Sequence, residues 1–323
     1  MSAHALDKDL DAVAVSARAD LVREIELSGA WDADPGWRAA FEAVPRHVFV
    51  PYYYVGAADG HGPERLWRES PDPCARERWL RGVYTDVPLA TRLRDGELVS
   101  SSSQPSLMAR MLAELRVSDG DRVLEIGAGT GYNAALLAER LGDEQVTTVD
   151  LEPEITDSAR THLADAGHRP TVVTGDGTRG VPEHGPYDRI IATCALTTIP
   201  RAWPAQCTPG ARILAPLATG LIALTVRDAT HAEGTFLNTA AYFVPLRGTG
   251  PAVQGEIPHR PGDHELLRFL LTLTHGTLDP REARELWEQE GRPARERYGI
   301  TVSGEGARAW LDGPESPHTW QLP

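Results

Sequence analysis

Lysine is almost missing from this chain: Lys8 is the only one, and every other basic residue is arginine. That bias reflects base composition of the coding sequence more than chemistry. Basic charge as a whole is short, with Lys+Arg 32 against Asp+Glu 46 and a net charge of −14. A protein that grips phosphate backbones needs a basic face, so nucleic acid is excluded as a general partner. Cysteine is scarce as well. Cys74, Cys194 and Cys207 stand far apart with no CxxC, which excludes a disulfide framework and a zinc cluster. The histidines form no HxH or HxxxH pair, so no metal is expected. Long apolar runs are absent too. The longest, from Ala211 to Val226, is broken by Pro216 and Gly220 and is too short to span a bilayer. The first residues carry neither a signal-peptide core nor a cleavage site. These absences imply a soluble protein of a reducing compartment, the cytoplasm, with no membrane partner.

What is present is a globular balance, 41% hydrophobic and 24% charged over 323 residues, enough for two domains or one elaborated one. Leu10, Val13, Ala17, Leu21 and Ile25 give a helical repeat over 9–27, and a short helix fits Trp37 to Ala43 before Pro45. Residues 56–82 shift to Gly, Pro and charge around Trp67 and Trp79 and read as an ordered surface insertion. A helix follows Gln104. Strands are expected at 123–126, 146–149, 171–173, 189–192, 212–217, 221–226 and 241–244, with helices at 132–141, 153–166 and 201–207. Short apolar strands alternating with helices are the signature of a parallel sheet covered on both faces, an α/β doubly wound fold. Beyond Gly248 a Pro/Gly-rich linker leads to an amphipathic segment at 264–273, a charged helix at 280–289 and a tail with Trp310 and Trp320. The expected division is therefore an N-terminal helical, substrate-side segment at 1–99, a core at 100–248 and an extension at 249–323. Trp287, Trp310 and Trp320 are expected to pack that extension.

The strongest local signal is a strand running into Glu125-Ile126-Gly127-Ala128-Gly129-Thr130-Gly131 and then a helix. Glycines at this spacing let the chain turn tightly and bring main-chain N–H groups against a ligand at a helix start. No Gly-Lys-Ser/Thr follows, so this is not an ATP loop. Tyr132 stands where the dinucleotide fingerprint wants its third glycine. An acidic residue before the first glycine suits a cationic ligand better than a pyrophosphate. S-adenosylmethionine, which carries a sulfonium and an ammonium and no phosphate, fits. Glu125 would then face the ammonium, and Asp150, 23 residues after Gly127, would reach the ribose hydroxyls. Asp176 in Gly175-Asp176-Gly177 would accept from the adenine amino group. The bland alternative makes these acids helix caps and the loop a turn. Three such positions at three successive strand ends favour the nucleoside site, with Gly127, Ala128, Gly129, Gly131, Leu151 and Gly177 lining it.

Several segments carry a more specific resemblance: Val44-Pro45-Arg46-His47-Val48-Phe49-Val50-Pro51, Ser103-Gln104-Pro105, Pro186-Tyr187-Asp188, Pro209 to Pro216 and Tyr242-Phe243-Val244-Pro245-Leu246. In this order they resemble the protein-L-isoaspartate O-methyltransferase family, from about Phe41 to Gly248. The resemblance implies a Rossmann-like class I methyltransferase fold, S-adenosylmethionine as donor and S-adenosylhomocysteine as product. It implies a side-chain carboxylate of a peptide or protein as acceptor. In that family a Thr-Ile-Ser-Gln/Ala-Pro segment lies beside the methyl group and its serine is assigned to catalysis, which implies Ser103 here. Ser101 and Ser102 replace the threonine and isoleucine, preceded by Ser100. Ser101 is expected to share the catalytic role and Ser102 to touch the cofactor. The extension, with Ile300-Thr301-Val302 and Trp310-Leu311-Asp312, is similar to a branch that methylates an aspartate in a modified ribosomal precursor peptide. The ester formed there can close to an aspartimide.

A carboxylate has an ordinary pKa of about 4 and is already a nucleophile at neutral pH, so no general base is required and none stands out. The expectation is a dedicated peptide-aspartate methyltransferase, with general isoaspartate repair as the alternative. An RNA methyltransferase is disfavoured by the acidic balance, and an inactive donor-binding module by the intact Glu125, Asp150, Asp176 and Ser103. Without the resemblance, Ser100 to Ser103 would read as a flexible loop capping the helix at Gln104.

Overall fold

Apolar residues at helical spacing bury Leu21, Val22 and Ile25 on one face of the first helix, and Trp37, Ala40 and Phe41 on the second. The computed structural model describes residues 3–31, 34–56, 62–247, 264–275 and 277–323, with side chains from residue 10 onward. In chain order the elements are α1 (Ala3–Leu27), α2 (Gly36–Ala43), α3 (Arg46–Phe49), β1 (Tyr52–Val55), β2 (Glu64–Trp67), α4 (Pro73–Val83), β3 (Leu89–Arg94), β4 (Glu97–Ser102) and α5 (Pro105–Leu115). Then come β5 (Val123–Ile126), α6 (Tyr132–Leu141), β6 (Val146–Asp150), α7 (Pro153–Asp165), β7 (Thr171–Thr174), β8 (Tyr187–Ala192), β9 (Cys207–Leu217), β10 (Gly220–Asp228) and β11 (His231–Ala240). The last are α8 (Glu265–Leu273), α9 (Pro280–Gln289), β12 (Tyr298–Ser303), β13 (Gly306–Leu311) and β14 (Thr319–Gln321).

Packing divides the described residues into two compact units, one from Met1–Gly120 and Ala128–Thr174, the other from Asp121–Gly127 and Gly175–Pro323. The first unit holds an antiparallel sheet in the order β2-β1-β3-β4 and the parallel pair β6–β7. The second holds strands in the order β14-β13-β12-β11-β10-β9-β8-β5. There β5 runs parallel to β8, with Glu125 opposite Ile191 and Ile126 opposite Ala192. β8 is parallel to β9, and β9 to β14 are joined by antiparallel pairs. Val123, Leu124 and Ile126 are all fully buried, as a strand covered on both faces requires.

Parallel strands linked by helical crossovers make this a Rossmann-like α/β fold, with corrections to the expected pattern. The sheet is not parallel throughout, because hairpins rather than helices connect the strands from β9 to β11. Strands β1 to β4, β11 and β12 to β14 and helices α3 and α4 are additions. The helix expected at 201–207 is a turn ending in a three-residue 3-10 segment at Pro204–Gln206, after which Cys207 opens β9. The strand expected at 241–244 is irregular. It is held where Ala195 N donates to Val244 O at 2.9 Å and Leu246 N to Ala195 O at 2.8 Å, and Pro245 has no N–H to continue a ladder. The described part of 56–82 is ordered and exposed along most of its length, with one buried face. Its β2 pairs with β1, and α4 buries Trp79, Leu80 and Val83, with Trp79 Nε1 donating to Val50 O at 3.0 Å. Residues 57–61 of that stretch, and the linker expected before 264, lie outside the described residues. Trp287, Trp310 and Trp320 are buried in the second unit.

Candidate active site

Three glycines with positive φ shape the loop after β5: Gly127 at 100°, Gly129 at 51° and Gly131 at 87°. Only glycine adopts such a run without strain. Thr193, just past β8, hooks the loop by donating from Oγ1 to Gly127 O at 2.6 Å, and a Cβ on Gly127 would stand 2.7 Å from that same oxygen. On the other side, Ala128 N donates to Val149 O at 3.2 Å. Thr193 escaped sequence reasoning, since a threonine at a strand end carries no signal of its own.

The strand-end acids prove to be struts. Asp150 accepts from Gly129 N at 3.1 Å and from Leu151 N at 2.8 Å, tying the end of β6 to the loop. Asp176 accepts from Thr178 N at 2.9 Å and Thr178 Oγ1 at 2.7 Å, capping the turn that follows. A Cβ on Gly177 would meet Ile126 Cγ2 at 2.6 Å, so glycine is required there for close packing on β5. Trp203 Nε1 donates to Gly177 O at 2.9 Å. Glu125 is fully buried in β5. In the second unit Gly177 thus packs on Ile126, between Glu125 and Gly127 in sequence, and Asp176 precedes Gly177. The first brings together Ala128, Gly129, Gly131, Asp150 and Leu151. No basic side chain lies in 125–131, 148–152 or 174–178. A glycine cradle with carboxylates and no cation fits a cationic, phosphate-free nucleoside and not a nucleotide.

The serine segment also belongs to the first unit, and it is not a flexible loop. Ser100, Ser101 and Ser102 lie in β4, opposite Arg92, Ala90 and Leu89 of β3. A Cβ on Gly129 would be 3.6 Å from Ser101 O and 3.9 Å from Ser100 Oγ, so this strand runs against the glycine loop. Ser101 and Ser103 are half-buried, and neither hydroxyl has a hydrogen-bond partner among the described residues. Ser102 is different. Its hydroxyl turns inward and accepts from Arg46 Nε and Nη2, both at 3.3 Å, so any share it has in a ligand site is through its backbone. A cleft lined by Tyr52, Thr91, Ser100, Gly129, Thr130 and His162 opens beside the segment. His162 Nδ1 stands 3.0 Å from Thr130 O, a pure acceptor, so that nitrogen carries the proton. Burial lowers the His162 pKa and keeps the ring neutral.

The segment Pro45 to Pro51 explains itself as packing. Arg46 is fully buried, His47 Nδ1 lies 2.7 Å from Tyr84 Oη, and Phe49 packs on Tyr132 with ring centroids 5.6 Å apart. Among the described residues no three metal-ligating side chains cluster, and no helix is long and apolar enough to cross a membrane.

Fold and site together define a class I, S-adenosylmethionine-dependent methyltransferase. The family model for protein-L-isoaspartate(D-aspartate) O-methyltransferase matches residues 73–249, and the chain belongs to that family. It is 40% identical over 237 residues to a protein-L-isoaspartate O-methyltransferase of Hyperthermus butylicus, covering 68% of this chain and 93% of that protein. A solved protein-L-isoaspartate O-methyltransferase shares its fold over 92% of this chain and 100% of its own, with TM-score 0.62 and 23% identity. A second, from Plasmodium falciparum and in complex with S-adenosyl-L-homocysteine, covers 71% of this chain and 97% of its own, with TM-score 0.53 and 15% identity. The family match begins at Pro73, inside the stretch that composition alone sets apart as an insertion.

Proposed function

We propose that this enzyme methylates the free carboxylate of isoaspartyl residues in peptides and proteins, which is the α-carboxylate because the chain there runs on through the side-chain carbonyl. The observation that carries the reading is the approach of β4 to Gly129 through Ser101 O and Ser100 Oγ, which supports a place near the glycine loop for the segment that carries Ser101 and Ser103. When bound, S-adenosylmethionine supplies an electrophilic methyl on a sulfonium. The acceptor arrives ionised at neutral pH, so no protein group has to remove a proton. Ser103, with Ser101, holds the carboxylate oxygen that does not attack, leaving the other free to take the methyl. Glu125 would hold the donor's ammonium end, Asp150 and Leu151 its ribose, and Asp176 and Gly177 its adenine. Gly127, Ala128, Gly129 and Gly131 give the backbone room for it. Orientation of this kind lowers a barrier by up to about 7–11 kcal/mol in favourable cases. Cys74, Cys194 and Cys207 are free thiols, which suits a cytoplasmic enzyme.

The serine replacement at Ser100 to Ser102 favours a second reading, a dedicated aspartyl acceptor in a ribosomal precursor peptide. The long extension does not discriminate, because the fold match to an isoaspartate methyltransferase takes in most of it. Mass spectrometry after incubation with donor and matched isoaspartyl and aspartyl peptides decides. One methyl gained on the isoaspartyl peptide alone is the expected result. Methylation of the aspartyl peptide, with later loss of methanol, would put the second reading first, and no gain on either would remove the acceptor assignment. Asp150→Ala should weaken donor binding through both the ribose and the loosened Gly129, measured by calorimetry.

A further inference from the structure

The segment that carries Ser103 is held from two sides by charges that no local sequence pattern supplies. On its carbonyl side stands Arg46, whose Nη2 donates to Ser103 O at 3.1 Å and Ser102 O at 3.4 Å. The same guanidinium donates to Val83 O at 2.7 Å, Thr85 O at 3.1 Å and Val87 O at 3.3 Å. On the amide side stands Asp86, accepting from Ser106 N at 2.8 Å and Gln104 Nε2 at 3.1 Å. Helix α5 begins at Pro105 and Gln104 gives it no side-chain cap, so Asp86 is the cap, delivered from another part of the chain. The carbonyls of Thr85 and Val87 flank Asp86, so one arginine fixes both the residue that holds the amides and the residues whose carbonyls it takes itself. Burial lowers the Arg46 pKa to about 10, which still leaves it cationic at neutral pH, and the Asp86 charge works in the opposite sense to that lowering.

We infer that Arg46 and Asp86 are positioning residues that clamp the backbone from Ser102 to Ser106 and so present the Ser103 hydroxyl to the acceptor carboxylate. The inference rests on the role of Ser103 proposed above. A planar fork with fixed donor spacing suits the task because it cannot satisfy these carbonyls unless they keep their places. A lysine keeps the charge and loses the fork.

The test uses the full chain, S-adenosylmethionine and an isoaspartyl peptide. Arg46→Lys should fold, bind the donor as before and lose about 100-fold in kcat, the scale expected for a misplacement of about 1 Å. Asp86→Asn should lose about tenfold, the scale of one charge-assisted bond. The double variant Arg46→Lys with Ser103→Ala should be no slower than Ser103→Ala alone, because Arg46 acts through Ser103. Full additivity would overturn the inference, since a merely structural arginine would slow the enzyme whatever stands at 103. Amide hydrogen exchange over 102–107 is read on the same samples. Faster exchange in Arg46→Lys supports the clamp and unchanged exchange overturns it, even if the parent chain transfers no methyl and the functional reading has itself failed. Should Arg46→Lys not fold, Ser102→Ala removes only the hydroxyl acceptor and should lower kcat about fivefold.

Discussion

Arg46 and Arg295 are both buried, at 0% and 4% exposure, and they solve the problem of an interior cation in opposite ways. Arg46 lies in the first unit and faces five carbonyl oxygens and a hydroxyl. Arg295, in the second unit, places one bond of 2.7 Å on the Glu265 carboxylate, rests over the Phe269 ring at 5.3 Å and leaves Nε without a partner. A cation shared among fixed backbone dipoles needs every one of them in place, so Arg46 sets the geometry of the chain around it. A cation matched by one half-exposed carboxylate needs only that neighbour, so Arg295 fastens α8 without dictating a shape.

Three substitutions press on this contrast. The largest effect belongs to Arg46→Met, which strands several buried carbonyls and should cost roughly 3–5 kcal/mol in urea melts. Methyl transfer should be lost with it. Next comes His47, beside Arg46 in sequence, whose pKa burial depresses from 6.5 to about 4. The fold prefers the neutral ring, so its contribution is complete above pH 6.5. It drains away as the unfolded chain takes up a proton between pH 6.5 and about 4, and is constant below that. The loss is at most about 3 kcal/mol. His47→Gln should flatten the stability slope between pH 5 and 6.5 relative to the parent, and an unchanged slope would place the acid sensitivity elsewhere. The smallest effect is Arg295→Met, about 1–2 kcal/mol, because Glu265 is exposed enough to regain water. Turnover should stay at the parental rate. Equal costs for Arg46→Met and Arg295→Met, or equal losses of turnover, would erase the distinction.

The same contrast explains what could be read from the residues. The glycine loop, β5, β6 and the acids at 125, 150 and 176 announce themselves because each depends on neighbours in sequence: a strand pattern, then a turn that only glycine permits. Ser103 is reached only by resemblance, and the strand that carries its neighbours is silent. Thr91, Ser100, Ser101 and Ser102 give no apolar alternation, and β4 exists by virtue of β3 and Arg46. Arg46 and Asp86 act on residues 56 and 20 positions away, farther than periodicity or capping rules extend. The terminal strands hide for a related reason. Gly299 lies under Trp310, where a Cβ would be 2.2 Å from the ring, and a glycine in that place looks like a loop until its cross-strand partner is known.

The strand order in the second unit has a kinetic corollary. β9, β10 and β11 follow one another through hairpins, as do β12, β13 and β14, whereas β5 finds β8 across 66 residues, Val123 against Arg189. Closing a short hairpin costs little chain entropy and takes microseconds, while distant parallel pairing waits on a much larger loop. Each triplet can therefore assemble on its own. The junction of Ala232 with Val302, which ties off the stretch containing α8 and α9, is then a late event in the life of a nascent molecule.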